Sequence, residues 1–185
     1  MVAQFPSAQQ VWPALARVYP WVDIVAPGPY PFAPSGVQPT SAAWGTANLA
    51  RFIPFLVSRP VTVTNIHVYN FATIAGNVDV GLYDMSGNRL VSGGGAAHSG
   101  ADAIQTFNIT DTLLSPGRYY AAMASDSATA TFGAFLSVDI GMPLGAAGAA
   151  MIGIKSMATA YVLPATATLA ALTVDNFPFI VLGLA

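Results

Sequence analysis

Along much of the chain, hydrophobic and polar residues change places with a period of two, the mark of strands with one buried face. The clearest stretch is 76–124, where Val78, Val80 and Leu82 alternate with Asp79, Gly81 and Tyr83. Met85-Ser86-Gly87-Asn88 then predicts a tight reversal, with Gly87 taking positive φ. A second strand, a Gly/Ser/Ala loop and a third strand follow. Leu114-Ser115-Pro116-Gly117 next sets a turn before the aromatic strand that opens Arg118-Tyr119-Tyr120. Pro116 and Gly117 suit the central positions of a type II turn, where Pro fixes φ and Gly accepts φ > 0.

The same reading extends to both sides. Residues 51–57, interrupted by Pro54, predict an edge or bulged strand. In 61–71, Thr62, Thr64, Ile66 and Val68 are expected on one face, and Val61, Val63, Asn65, His67 and Tyr69 on the other. Further strands are expected over 128–140, 157–163 and 177–184, with a Gly/Ala/Met loop at 141–156. About eight strands with closely spaced turn signals predict an all-β fold, an antiparallel β-sandwich of jelly-roll type.

Residues 1–44 break the pattern and are assigned to an extended N-terminal arm, leaving 45–185 as the sandwich domain. Eight of the fourteen prolines fall in this arm, and Arg17 and Asp23 are its only charges. A short helix capped by Ser7 is expected over 8–19, interrupted at Pro13 and stopped by Pro20. Pro27, Pro29, Pro31 and Pro34 impose a polyproline-like path further on. Such a path lacks backbone donors, so aromatic side chains must hold it. Trp12, Trp21, Tyr30 and Phe32 are the expected anchors, seated on neighbouring subunits.

Composition narrows the function. Charged residues make up 8% of the chain, against ~25% in typical soluble domains. All eight acids are Asp, and Lys155 is the only lysine. Mean hydropathy is +0.57. A free monomer of this composition would expose much apolar surface. The apolar runs at 140–154 and 156–174 are broken by Pro143 and Pro164, so no membrane span is expected. No basic segment precedes an apolar one at the N-terminus, so no signal peptide is expected either. A net charge of −2 argues against nucleic acid as a partner. Obligate assembly with other subunits is the reading that remains. Cysteine is absent, which excludes disulfides and thiolate chemistry.

Residues that carry chemistry elsewhere are sparse here. His67 lies on a strand face beside Tyr69. His98 lies with Ser99 and Asp102 in what reads as a flexible loop, which cannot hold the rigid geometry of a Ser-His-Asp triad. Asp84 to Asn88 lacks the Gly and Glu positions of a calcium loop and reads as a hairpin turn. No catalytic, cofactor-binding or metal-binding residue is expected, and no cofactor. Tyr69 and Tyr83 are the candidates for a platform that stacks on a glycan.

Taken together, GNVDVGLYDMSGNRLVSGG and TFNITDTLLSPGRYYAAMA resemble a β-sandwich domain of tailed-bacteriophage virion proteins. In that pattern a V-x-V-G-L-Y strand leads to a polar Gly turn, matched here by Val78, Val80, Gly81, Leu82 and Tyr83. A later L-x-P-G-x-Y-Y-x-A motif is matched by Leu114, Pro116, Gly117, Tyr119, Tyr120 and Ala122. The resemblance spans roughly 61–135. It implies a non-enzymatic virion protein on the capsid or tail surface, a decoration (cement) or fibre component. It also implies a homo-oligomer, most often a trimer, partnered by other virion proteins. The rival expectation is a carbohydrate- or receptor-binding module facing host-surface glycans.

Overall fold

The computed structural model of the chain describes residues 24–25, 40–135, 155–158, 161–169, 177–178 and 180–185. These residues form thirteen strands and no helix: β1 (Ile24–Val25), β2 (Thr40–Ala43), β3 (Leu49–Val57), β4 (Val61–Tyr69), β5 (Asn77–Asp84), β6 (Arg89–Ser92), β7 (Ala96–Ala97), β8 (Ile104–Leu114), β9 (Gly117–Ser125), β10 (Thr131–Phe135), β11 (Lys155–Ala158), β12 (Phe177–Pro178) and β13 (Ile180–Leu184). Pairing is antiparallel throughout the described sheets. One sheet runs β1-β13-β4-β8 and a larger one β11-β3-β9-β5-β6, with β7 also on β5. A third, small sheet runs β12-β10-β2.

The two large sheets share a core, which makes the all-β architecture sandwich-like. One sheet contributes Ile53, Phe55, Val80, Leu82, Ala121 and Met123, and the other Val63, Ile66, Phe107, Leu114, Ile180 and Leu182. Burying each large apolar side chain contributes about 1.5–3 kcal/mol, so this alternation is the main determinant of the fold. Trp44 and Phe132 join the small sheet to the core, edge to face at 5.5 Å. The Arg51 guanidinium lies 4.4 Å over the Trp44 ring and donates to the Trp44 carbonyl at 3.1 Å.

Several sequence expectations change in place. On β4, the expected face of Thr62, Thr64, Ile66 and Val68 does not exist. Against β13, β4 carries one extra residue, Thr64, between Val63 and Asn65, so Val63 and Ile66 are both buried although three residues apart. A bulge adds a residue without hydrogen-bonding it, and a strict period of two cannot register it. The expected strand at 177–184 is two strands, β12 and β13, in different sheets. Of the strand expected at 157–163, β11 is the ordered ladder, pairing with β3, whereas 161–163 has no strand partner. The tail of the stretch expected at 128–140, beyond Phe135, lies outside the described residues.

Gly87 takes positive φ, 84°, as expected. Gly117 does not, so the type II turn with φ > 0 at this glycine is corrected. The physical reason is topological. β8 and β9 belong to facing sheets, and Ser115-Pro116 steps across the sandwich instead of reversing within one sheet. Tyr119 closes the step, its hydroxyl donating to the Ser115 carbonyl at 2.9 Å. Tyrosine corners in β-sandwiches close backward in the same way.

Trp12, Trp21, Tyr30, Phe32 and the helix expected over 8–19 lie outside the described residues. Two pieces of the stretch assigned to the arm are described, and both are paired. β1 lies on β13 and β2 on β10. Neither contains proline, so their backbone donors remain available for a ladder. Trp44 is a core residue. The sandwich therefore begins before residue 45.

Candidate functional site

A solvent-facing sheet surface should alternate apolar-in and polar-out, yet β9 is buried on both faces over Tyr120 to Ser125. The cover is the segment 161–169, which crosses the outer face of the larger sheet. Leu163 and Ala167 pack there with Ala50, Phe52, Tyr83, Tyr120, Ala122 and Ala124, a second core separate from the first. Phe52 and Tyr83 meet edge to face at 5.0 Å.

Polar side chains of the sheet hold the backbone of this segment. Asp79 is fully buried, and its Oδ2 accepts the Leu163 N–H at 2.9 Å. The same carboxylate accepts the Ser92 hydroxyl at 2.9 Å and the Gly94 N–H at 3.1 Å. The Arg89 guanidinium donates to the Leu163 carbonyl. The Tyr83 hydroxyl donates to the Pro164 carbonyl at 2.6 Å. Main chain completes the seat: Arg89 N–H to Ala165 O at 2.9 Å and Ala167 N–H to Gly87 O at 2.8 Å. Burial raises the Tyr83 hydroxyl pKa well above its ordinary value, with nearby Arg89 opposing the shift and Asp79 adding to it. Tyr83 is thus a permanent donor.

Two glycines make the close approach possible. A Cβ on Gly87 would lie 1.9 Å from the Ala167 carbonyl oxygen. One on Gly81 would lie 2.7 Å from the Val91 oxygen and 3.0 Å from a Leu163 methyl. Mid-strand glycine marks such an approach. A carboxylate for an N–H, two donors for carbonyls and small apolar sockets together recognise extended main chain.

Other candidates resolve as follows. Tyr83 is buried in this seat and cannot stack on a sugar, which corrects that expectation. Tyr69 is half-buried on the opposite sheet, edge to face with Phe71 at 5.1 Å. The two tyrosines therefore form no common platform. Pro116 and Gly117 sit at the step between sheets. His67 bonds Thr106 at 2.9 Å, and burial lowers its pKa. His98 does not lie in a free loop. It is buried, stacks on Phe132 at 4.4 Å, and its Nδ1 accepts the Ala75 N–H at 3.3 Å. Gln105 ties the same loop through Ala97 and Ser99. Neither Ser99 nor Asp102 hydrogen-bonds the His98 ring. Both Asp84 oxygens accept from the turn, from Ser86 N–H and from the Asn88 main and side chains at 2.9 Å. These bonds, the Asn88 side chain foremost, hold the Asp84 pKa below its ordinary value.

Among the described residues, no three His, Cys, Asp or Glu side chains gather as metal ligands, and no helix is long and apolar enough to cross a membrane. Comparison with protein-family models, curated proteins and solved structures returns no match.

Proposed function

We propose that this chain is a structural, non-enzymatic component of a virion surface, a decoration or fibre protein that packs against copies of itself. The observation that supports the reading is where apolar side chains remain in water. Leu56, Leu113 and Ile104 are 68%, 67% and 66% exposed on strands whose opposite faces are already buried. Large apolar side chains left this exposed mark contact surfaces, and a composition of 8% charge offers little polar surface to compensate. The virion assignment rests on the resemblance of Val78 to Tyr83 and Leu114 to Ala122. Jelly-roll connectivity, a trimeric state and docking of the arm through Trp12, Trp21, Tyr30 and Phe32 belong to the same proposal. A glycan-binding module is the weaker reading now that Tyr83 is buried, since Tyr69 alone remains.

The test is substitution of Leu56, Ile104 and Leu113 by Asp, singly. Each variant should keep the β-sheet circular dichroism of the parent and lose association, read as a drop in sedimentation coefficient. Three variants that associate like the parent would overturn the proposed surface.

A further inference from the structure

A loop is held to its domain by the side chains it buries, and the stretch from the tip of the β5–β6 turn to β8 buries one. From residue 88 to residue 106, across β6, β7 and the loop that follows, His98 is the single buried residue, at 4% exposure. An anchor needed only to fill the space beside Phe132 would be a leucine or a phenylalanine. Histidine fills it on one condition, that the ring is uncharged.

The surroundings of the ring set that condition. It stacks on Phe132 at 4.4 Å, and its Nδ1 accepts the Ala75 N–H at 3.3 Å, so the neutral ring carries its proton on Nε2. Among the described residues Nε2 has no hydrogen-bond partner. A second proton would go to Nδ1 and point at the Ala75 N–H, donor against donor. The resulting cation would be buried without an acceptor. Attraction of the cation to the Phe132 face is smaller than that cost.

The segments packed around the ring bring no opposite charge to it. Residues 70–76 and β10 contain no titratable group. In the loop itself Asp102 is exposed. Asp126, behind Gly76, gives both carboxylate oxygens to Asn77. Arg51, over the Trp44 ring that meets Phe132, has the same sign as the imidazolium.

The chain on either side is tied without the ring. Asp79 holds the Gly94 N–H at 3.1 Å, Asn70 Nδ2 donates to the Ser99 carbonyl at 2.6 Å, and Gln105 Oε1 accepts the Ser99 N–H at 3.1 Å. Between these ties, residues 95–98 meet β5 through the two pairs of β7 and meet Gly76 through the His98 N–H at 2.9 Å. A change at the ring therefore acts on a short piece of chain and leaves its ends in place.

We propose that His98 is an acid-sensitive latch: protonation expels its ring from Phe132 and detaches residues 95–98 from residues 75–76, while the two large sheets stay closed. The released ring uncovers Phe132, the residue that joins the small sheet to the core.

Amide hydrogen exchange of the full-length chain at pH 7 and pH 5, corrected for the intrinsic rate at each pH, tests the latch. Ala75 and His98 amides should be at least tenfold less protected than those of Val80 and Met123 at both pH values, because they open without the core. Burial lowers the pKa of the latched ring, so the released ring binds the proton more readily and acid favours release. Protection of the two amides should fall from pH 7 to pH 5 by up to about 25-fold, the limit for a released ring of ordinary pKa 6.5. In His98→Gln, whose side-chain oxygen can accept the Ala75 N–H at any pH, the fall should vanish. In His67→Gln, which removes the other histidine, it should persist. Protection equal to that of Val80 and Met123 would overturn the latch, since the amides then open only with the whole fold. So would a fall of less than twofold in the parent, or a fall that persists in His98→Gln. The two parent readouts stand even if His98→Gln does not fold.

Discussion

Asp79→Ala is the substitution that loads most directly onto the outer-sheet seat. The carboxylate accepts from three donors: Leu163 N–H, Gly94 N–H and the Ser92 hydroxyl. Gly94 N–H also donates to Ser92 Oγ at 3.0 Å, so those two groups keep a partner when the carboxylate is removed. Leu163 N–H does not, and it is buried. An orphaned buried donor costs about 1–3 kcal/mol, and the loss of the remaining charge-assisted bonds adds about 1 kcal/mol. The sum, about 2–4 kcal/mol, falls on the segment 161–169 rather than on the inner core. Amide hydrogen exchange reads it locally. At about 1.4 kcal/mol per tenfold, the Leu163 amide should exchange about 30- to 1,000-fold faster, with Val80 and Met123 little changed. Asp79→Asn should fall between, because its amide keeps one acceptor but turns a donor toward another donor. Equal protection of Leu163 in the parent and Asp79→Ala would refute the role assigned to the carboxylate.

Two further predictions separate the two glycine turns and the two kinds of titrating group. Gly87→Ala should destabilise by roughly 2–4 kcal/mol, from positive φ and the clash with Ala167 O, whereas Gly117→Ala should change urea unfolding by less than about 1 kcal/mol. Equal effects at both positions would contradict the sheet-crossing step. Burial lowers the pKa of His98 below its ordinary 6.5, so the unfolded chain binds the proton more readily. Stability conferred by the neutral ring is therefore complete above pH 6.5 and is lost as pH falls below it. Asp84 and Asp126, held low by bonds from Asn88 and Asn77, lose their contribution only as pH falls below about 3.8. His67, whose pKa burial also lowers, contributes in the same window, so His98→Gln should shrink the upper part of this acid profile, His67→Gln/His98→Gln should remove it, and both should leave the lower part, followed by thermal unfolding across pH 3–8.

Alternation made the long strands legible, because β3, β5 and β9 each put alternate residues into the inner core. Gly87 was legible for a local reason, since a tight reversal needs φ > 0 within four residues. Gly117 was not, because L-x-P-G suits both a hairpin reversal and a step to the facing sheet. Which one forms depends on strands far away in sequence. Asp79 and Tyr83 occupy polar positions of an alternating strand and so read as a wet face. The signal against that reading was Gly81 between them, a mid-strand glycine where another backbone comes close. In the segment 161–169, Leu163, Ala167 and Leu169 fall on one parity, but that alternation does not say which face they cover, so its role as a cover could come only from three dimensions. The β4 bulge escaped for the same reason as any single inserted residue.

Sedimentation velocity of the unmodified full-length chain, over a hundredfold range of concentration, tests the central claim most directly. Copies that cover Leu56, Ile104 and Leu113 on one another should sediment as a discrete oligomer well above the 19.1 kDa subunit, at the lowest concentration as at the highest. A single soluble species of 19.1 kDa throughout would contradict the account.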